Sequence, residues 1–388
     1  MKRVLASVLL AAAFPASAET LHQRTLTLDT HLDTPMHFAR QGWSFGDKHS
    51  YDTDLVQVDM GRMDEGDLDG GFFVIYTEQG PVTPEGFAKA KAFALGRADL
   101  IRTTLAKFPD RIALISTAAD AKRMDAEGKR FGWLSIENSY PLGEDLSLLK
   151  TFYDLGVRLA GPVHGKNNQF ADSATDTPKW NGLSPLGRQW VAEMNRLGMV
   201  IDGSHSSDAA FDQMLALSKT PLILSHSGSK TISDQPRNLD DARIRKLAEA
   251  GGVICVTTVF LAPMNFTPER NALFAQLENI GTMTPEEQAK LTRETRALDA
   301  VLPIQNTDFE AFMKSLLHII KVAGVDHVGI GADWDGGGGV KGLEDIGGLP
   351  KVTERLHAEG FSDADIEKIW SGNVLRVLRL AEENAAQH

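Results

Sequence analysis

Residues 198–228 read GMVIDGSHSSDAAFDQMLALSKTPLILSHSG. They contain two short apolar runs, separated by a segment in which polar and apolar residues are mixed. Each run leads into the dipeptide Ser-His, at His205 and at His226. The segment between them begins with serines, which favour helix N-caps, and stops at Pro221, which cannot continue a helix. This order predicts a strand, a helix and a second strand, which is the repeating unit of a parallel sheet.

The same kind of apolar run recurs along the whole chain. The runs are rich in Val, Ile, Leu and Phe without clean alternation, which is typical of strands buried on both faces of a parallel sheet. They are TLTLDTHLD, GGFFVIYT, FGWLSIENS, GVRLAGPVH, GMVIDGSHS, TPLILSHSG, GGVICVTTV and DHVGIGADWDG. Eight strands alternating with amphipathic helices predict an α/β fold, a (β/α)8 TIM-type barrel. A doubly wound open sheet is the alternative, but it rarely needs eight strands.

Two longer segments interrupt the alternation and predict helical insertions after strands 2 and 7. Residues 77–131 include a helical stretch at 84–107, and residues 261–308 include TPEEQAKLTRETRALDAVL. Both follow strands, so we expect them at the catalytic end of the barrel, where they can wall the site. No linker-like composition, internal repeat or low-complexity tract divides the chain, so residues 19–388 are predicted to form one domain.

The N-terminal residues 1–18 have the pattern of a secretory signal peptide. Lys2 and Arg3 precede an apolar run and then Ala16-Ser17-Ala18, which predicts cleavage before Glu19 and export to the periplasm or medium. No membrane anchor is expected, because no apolar stretch reaches the length of a transmembrane helix. Removing residues 1–18 deletes two cations and no anions, so the net charge changes from −12 to −14 and nucleic acid is a poor partner. The single cysteine, Cys255, excludes an intramolecular disulfide and is expected to be a small buried strand residue.

Side chains that bind metals recur at the ends of six predicted strands. Any one of them is more often a hydrogen-bonded structural residue, but their recurrence at the same phase of successive units is hard to obtain by chance. In a barrel, residues at the carboxyl ends of the strands surround one pocket. The residues, in strand order, are His31 and Asp33, Glu137, His164, His205, His226, and Asp333 with Asp335.

His, Asp and Glu without Cys favour Zn²⁺ or a similar divalent ion. A pair of ions needs a bridging carboxylate, and Glu137 is the natural candidate. His31 and Asp33 can complete one ion, while His205 and His226 can complete the other. Two ions held together in this way share a water that loses its proton near neutral pH and becomes a nucleophile.

Two Ser-His dipeptides, Ser204-His205 and Ser225-His226, raise the alternative of serine catalysis. Adjacent residues on a strand point to opposite faces, so we expect neither serine to pair with its neighbouring histidine. No predicted strand leads into a G-x-S-x-G nucleophile elbow.

Six segments together resemble the membrane (renal-type) dipeptidases, a family of binuclear zinc peptidases built on a metal-dependent hydrolase barrel. The segments are DTHLDTP, GWLSIENSYPL, YDLGVRLAGPVH, GMVIDGSHSS, PLILSHSGSKTISDQPRN and VGIGADWDG. The resemblance covers nearly all of residues 19–388. It implies two zinc ions per chain, one held by His31, Asp33 and Glu137 and the other by Glu137, His205 and His226. A dipeptide substrate and a homodimer are also implied.

The same resemblance assigns three further roles. His164 contacts the tetrahedral intermediate, Arg237 binds the substrate carboxylate, and Asp333 handles protons while contacting the substrate. Without the resemblance, Arg237 is equally well interpreted as a surface residue paired with Asp240 or Asp241. The chain departs from the family pattern at Asn138-Ser139, where glycines are typical, and at LAGPVH (159–164), where a Thr-rich run is typical. These departures lie beside the site and bear on the choice of substrate.

The sequence therefore predicts an exported, zinc-dependent dipeptidase. Two alternatives stay open. One keeps the same site but hydrolyses N-acyl amino acids or β-lactams, and the other is a catalytically inactive binding or scaffold barrel. The second is less favoured, because retaining unused buried His and carboxylate groups is costly.

Overall fold

The structure is a computed structural model that describes residues 19–387. The predicted signal peptide, residues 1–18, lies outside the described residues. Within them, nine strands form, of which the shortest has two residues. They are β1 (Leu28–Leu32), β2 (Gly70–Ile75), β3 (Ile112–Leu114), β4 (Arg130–Ile136), β5 (Val157–Ala160), β6 (Val200–Ile201), β7 (Ile223–Ser227), β8 (Val253–Val256) and β9 (Val328–Ile330).

Residues 19–387 also form thirteen α-helices, most of which alternate with the strands. They are α1 (Met60–Glu65), α2 (Pro84–Leu105), α3 (Ala118–Ala126), α4 (Ser147–Asp154), α5 (Pro185–Leu197), α6 (Asp208–Leu217), α7 (Asp241–Glu249), α8 (Pro268–Leu277), α9 (Pro285–Val301), α10 (Phe309–Ala323), α11 (Pro350–Ala358), α12 (Asp363–Glu367) and α13 (Asn373–Ala385). Within residues 19–387, none of these helices is both long enough and apolar enough to span a bilayer.

Eight of the strands close into a parallel barrel. One sheet has the order β1-β2-β4-β5-β6 and the other has the order β7-β8-β9. Single parallel bridges join the two sheets at both seams, from Asp202 to Ile223 and from Leu32 to Trp334. The (β/α)8 prediction is confirmed, including the helical insertions after the second and seventh barrel strands.

The strand outside the eight-stranded barrel, β3, was not expected from the sequence. It pairs with the first half of β4, where Ile112 faces Arg130, while β5 pairs with the second half from Leu134 onward. Three residues are too few to show a periodic pattern, so only the free edge of β4 makes this segment a strand. The first insertion therefore holds α2, β3 and α3, and α2 ends at Leu105, two residues before the predicted end.

Local sequence signals explain where the helices around the central unit begin and end. The Ser184 hydroxyl accepts the Gly187 N–H at the start of α5, and the Ser207 hydroxyl accepts the Ala210 N–H at the start of α6. Gly198 ends α5 with a φ of 73°, a left-handed conformation that glycine adopts without strain. These caps confirm the predicted strand-helix-strand unit.

The barrel strands are buried on both faces, as expected for a parallel sheet enclosed by helices. A cluster of fully buried side chains joins the strands to α13 and includes Phe72, Trp133, Val253 and Val377. Cys255 belongs to this cluster and is fully buried, which confirms its predicted role as a small strand residue. Packing of this kind fixes the strand ends and hence the geometry of the residues that follow them.

Candidate metal centre

The predicted strand-end residues converge on one carboxylate at the carboxyl end of the barrel. Glu137 Oε1 lies within 4 Å of an Nε2 atom from each of four histidines. The distances are 3.0 Å to His205, 3.6 Å to His226, 3.7 Å to His31 and 3.7 Å to His164. His31 Nε2 in turn lies 3.3 Å from Asp33 Oδ2 and 3.8 Å from Asp333 Oδ1. The structure thus brings together the five predicted ligands and two of the three residues predicted to act on the substrate, His164 and Asp333.

The alternation of β1 explains how two of these side chains reach the centre. His31 lies in β1 and Asp33 follows it, so both point to the barrel interior. Asp29 lies two residues before His31, on the same face of β1. It accepts hydrogen bonds from the His31 N–H at 2.9 Å and from the Ala332 N–H at 3.0 Å. Asp29 therefore ties the first strand to the segment that carries Asp333.

Two residues of the centre have left-handed backbones although they are not glycines. The φ angles are 64° at His205 and 69° at Asp333, and the conformation costs about 1–3 kcal/mol at each such residue. Close approach is also required at Gly336, where a Cβ would lie 2.2 Å from Asp33 Oδ2. The chain tolerates this strain where the side chains must be aimed at a common point.

Three buried carboxyl groups lie at the centre, those of Asp33, Glu137 and Asp333. Burial raises the pKa of Glu137 well above its usual range, and Asp33 and Asp333 add to that effect. Burial, with Asp33 nearby, also raises the pKa of Asp333 to about 7. Burial alone would lower the pKa of His31, but Asp33 and Glu137 outweigh it and raise that pKa to about 10. Positive charge is therefore strongly favoured at this point in the barrel.

The other imidazoles are held neutral. Burial lowers the pKa values of His205 and His226 well below the usual histidine range, and the guanidinium of Arg237 adds to both shifts. Burial and Arg237 lower the pKa of His164 to about 4. A neutral imidazole has a lone pair free to bind a metal ion. The Nε2 atoms of His205 and His226 lie 2.8 Å apart and can both face one ion.

The residues present fit divalent metal ions. Three groups have donor atoms within 4.8 Å of one another, and Glu137 belongs to two of them, as expected of a carboxylate between two ions; His31, predicted to hold one ion, also belongs to two. His31 Nε2 is buried without a hydrogen-bond partner in the part of the chain that the structure describes. The groups are His31 with His226 and Asp333, Glu137 with His164 and His205, and His31 with Asp33 and Glu137. The last group matches one predicted ligand set.

Ser225 reaches its neighbouring histidine, so the expectation that adjacent strand residues could not pair is wrong. Ser225 Oγ lies 2.8 Å from His226 Nδ1 and donates a hydrogen bond to Asp202 Oδ2. The pairing is possible because Nδ1 lies near the histidine's own backbone, within reach of a short neighbouring side chain. The hydroxyl is fully buried and committed to Asp202, which gives no support to serine catalysis. Asp202 was missed by the sequence analysis.

Arg237 is buried against the centre. It is 4% exposed, donates a hydrogen bond to the His226 carbonyl oxygen at 3.3 Å and lies 5.4 Å from the Phe260 ring centroid. The alternative surface pairing is wrong, because Asp240 pairs with Arg243 and Asp241 pairs with His318. Burial lowers the pKa of Arg237 to about 10, which leaves it cationic at neutral pH.

Asp335 does not join the donor cluster, although it was grouped with the other strand-end residues. Its carboxylate accepts the Thr34 hydroxyl and the Gln57 N–H, both at 2.6 Å. The side chain thus braces the segment after β9 against the segment after β1.

The departures at Asn138 and Ser139 tie neighbouring loops together. The Asn138 side chain donates to the Thr77 carbonyl oxygen and accepts from Asn168, and Ser139 Oγ donates to the Gly161 carbonyl oxygen at 2.8 Å. Both residues are fully buried. They fix the segments after β2, β4 and β5 from behind the centre.

Comparison with known proteins gives a consistent result. The profile of the membrane dipeptidase family (Peptidase family M19) matches residues 15–388. The dipeptidase tcpJ of Claviceps purpurea is 32% identical over 368 residues, which are 92% of this chain and 77% of the relative. The crystal structure of the probable dipeptidase PvdM from Pseudomonas aeruginosa is similar with a TM-score of 0.80, 31% identity and coverage of 94% and 97% of the two chains.

A further similar structure was solved with a bound ligand. It is a metallo peptidase from Rhodobacter sphaeroides liganded with a phosphinate mimic of the dipeptide L-Ala-D-Ala. Its TM-score with this chain is 0.72 at 25% identity, with coverage of 92% of this chain and 99% of the other.

Proposed function

The chain belongs to the membrane dipeptidase family, Peptidase family M19, and from that premise we propose that it is a two-zinc dipeptidase. The observation that carries the proposal is the approach of four histidine Nε2 atoms to within 4 Å of Glu137 Oε1. A buried donor set of this kind is what a pair of divalent ions requires. The Rhodobacter sphaeroides relative with its dipeptide mimic supports a dipeptide as the substrate.

The proposed ligands divide around Glu137. His31 and Asp33 would hold one ion, His205 and His226 the other, and Glu137 both. Bound zinc would polarise the scissile carbonyl and lower the pKa of a shared water, so that hydroxide forms near neutral pH.

Three residues of the chain act on the substrate in this proposal. Arg237 holds the C-terminal carboxylate, because a guanidinium binds a carboxylate through two parallel hydrogen bonds. His164, whose side chain is 36% exposed, donates a hydrogen bond to the oxyanion of the tetrahedral intermediate. Asp333 takes the proton from the attacking water and returns it to the leaving amine. Its carboxylate lies 3.8 Å from His31 Nε2, which places it beside the reacting atoms.

Elemental analysis and a substrate panel test the proposal together. We expect about two zinc ions per chain after loading and dialysis, and hydrolysis of Ala-Ala but not of the N-acyl amino acid N-acetyl-Ala. His205→Ala should bind less zinc and lose nearly all hydrolysis, while the control His357→Ala, on the exposed face of α11, should behave as wild type. One ion or none per chain would contradict the two-ion arrangement. Equal hydrolysis of the N-acyl compound would favour the amidase alternative, and no hydrolysis at all would favour the inactive barrel.

We also propose export, from the signal-like residues 1–18. Mass analysis of protein from the native host should find an N-terminus at Glu19 in the periplasm or medium. A cytoplasmic protein that retains Met1 would contradict this proposal.

A further inference from the structure

A cavity of about 420 Å³ opens beside the proposed metal centre, with Asp33 in its wall. The other walls come from the two insertions and from the segment that follows β2. Met36, Val74 and Phe93 give the cavity an apolar lining. Because Asp33 belongs to the donor cluster, a substrate bound at the metals would place one of its side chains in this space.

Two cations on α2 line this cavity, Lys89 and Arg97, and neither forms an ion pair within residues 19–387; Lys89 is exposed, so Arg97 is the more deeply placed of the two. Arg97 is half-buried, and its guanidinium carbon lies 5.2 Å from the Phe93 ring centroid. Residues 19–387 provide it with no ion pair and no hydrogen bond within the usual distances. Burial lowers the pKa of Arg97 and Asp33 opposes that shift, yet a guanidinium stays charged at neutral pH. Five N–H donors are therefore free to bind an anionic group that enters the cavity.

Arg97 and Arg237 act on different parts of the metal centre. Arg237 contacts the His226 carbonyl oxygen and depresses the pKa values of His164 and His205, whereas the electrostatic partner of Arg97 is Asp33. Arg237 thus lies beside His226, whereas Arg97 lines the cavity that Asp33 also lines. If Arg237 holds the C-terminal carboxylate of a dipeptide, the N-terminal residue lies on the side of Arg97.

The remaining charges at the cavity largely balance one another. Glu78 and Glu278 stand at the exposed rim, where partial burial and a hydrogen bond with Glu78 raise the pKa of Glu278 to about 7. Glu278 is therefore partly protonated near neutral pH. Lys89, also exposed at the rim, offsets the remaining charge. Asp33 would be committed to a metal ion in the proposed centre, which leaves Arg97 as the charge inside the cavity that is available to a ligand.

We propose that this cavity receives the side chain of the substrate's N-terminal residue and that Arg97 selects an acidic one. The preferred substrates would then be dipeptides that begin with Glu or Asp. This inference rests on the proposed dipeptidase function and adds a substrate class to it. Arg97 is a specificity residue in this proposal.

The test compares Glu-Ala with Gln-Ala, which have the same shape and differ in charge. We expect wild-type kcat/KM to favour Glu-Ala by roughly 10–100-fold, the range of a hydrogen-bonded charge pair. Arg97→Met should bring this ratio close to one, and Arg97→Lys should retain part of it. Arg102→Met, an exposed arginine on the same helix, is the matched control and should keep the wild-type ratio. Calorimetric binding of phosphinate analogues of the two dipeptides should give the same ordering without turnover.

The use of ratios separates specificity from any general loss of activity or folding. The role of Arg97 would be overturned if the Glu-Ala to Gln-Ala ratio were near one in the wild type, or if it were unchanged in Arg97→Met. Hydrolysis of Ala-Ala by the same protein would still support the proposed dipeptidase function. A preference for Lys-Ala would also overturn it and would indicate that the acidic rim governs the cavity. Failure to hydrolyse any dipeptide would overturn both proposals.

Discussion

At the scale of single residues, Arg237 shows how burial and charge combine in one side chain. Arg237→Met removes the proposed carboxylate anchor and should lower kcat/KM by roughly 10–150-fold, about 1.5–3 kcal/mol of transition-state stabilisation. The wild type should prefer a dipeptide over its C-terminal amide, and the variant should lose that preference. Arg245→Met, at an exposed position on α7, is the control. If both proteins discriminate equally, the carboxylate is bound elsewhere.

Ser225 provides a second test at this scale, because its hydroxyl links Asp202 to His226. Groups that orient a metal-binding histidine typically contribute 10–100-fold to metal affinity. Ser225→Ala should therefore weaken zinc binding by roughly 10–100-fold in competition with a chelator, and excess zinc should restore much of the activity. Ser206→Ala is the control, since the buried Ser206 hydroxyl has no hydrogen-bond partner within residues 19–387. Unchanged affinity in Ser225→Ala would show that barrel packing alone orients His226.

At the scale of the strands and helices, the segment after β9 depends on a close approach to β7. A Cβ on Gly331 would lie 1.8 Å from the Ser225 carbonyl oxygen and 2.5 Å from Thr30 Oγ1. Neither atom can move freely, because the Thr30 hydroxyl donates to that same carbonyl. Gly331→Ala should lower the free energy of unfolding by roughly 1–3 kcal/mol or more, measured by urea denaturation.

A glycine in an open position gives the opposite expectation. Gly96 lies inside α2, and a Cβ there would meet no atom within 4 Å. Gly96→Ala should raise the free energy of unfolding by roughly 0.4–1 kcal/mol, because alanine loses less backbone entropy in a helix. If Gly331→Ala and Gly96→Ala changed the free energy of unfolding equally, the backbone around Gly331 would have to accommodate the added methyl group without cost.

At the scale of the whole molecule, the proposed ions should stabilise the fold. Ions that bind the native state alone add about 4 kcal/mol to the free energy of unfolding when their concentration is 1,000 times the dissociation constant. Chelation should therefore lower the unfolding temperature by several degrees in a calorimetric scan, and zinc should restore it. His205→Ala should respond less to chelation, since it lacks one ligand. An unfolding temperature unaffected by chelation in the wild type would argue against ions bound by the native state.

The sequence alone determined the order of the eight barrel strands and the residues at their ends. Both follow from local rules: apolar runs of strand length, serine caps, and the placement of strand ends at one mouth in a (β/α)8 barrel. His31, Glu137 and His226 could therefore be assigned to a common centre from their position in successive units. The family resemblance then added the expected roles of Arg237 and His164.

Only the tertiary structure decided the features that depend on contacts between distant segments. β3 exists because β4 has a free edge, and Arg237 is buried because the segment carrying Phe260 covers it. The link from Asp202 through Ser225 to His226 joins the end of β6 to β7, and Arg97 lines the same cavity as Asp33 because the first insertion packs beside the strand ends. No local pattern encodes these contacts, because each depends on the packing of two segments that lie far apart along the chain.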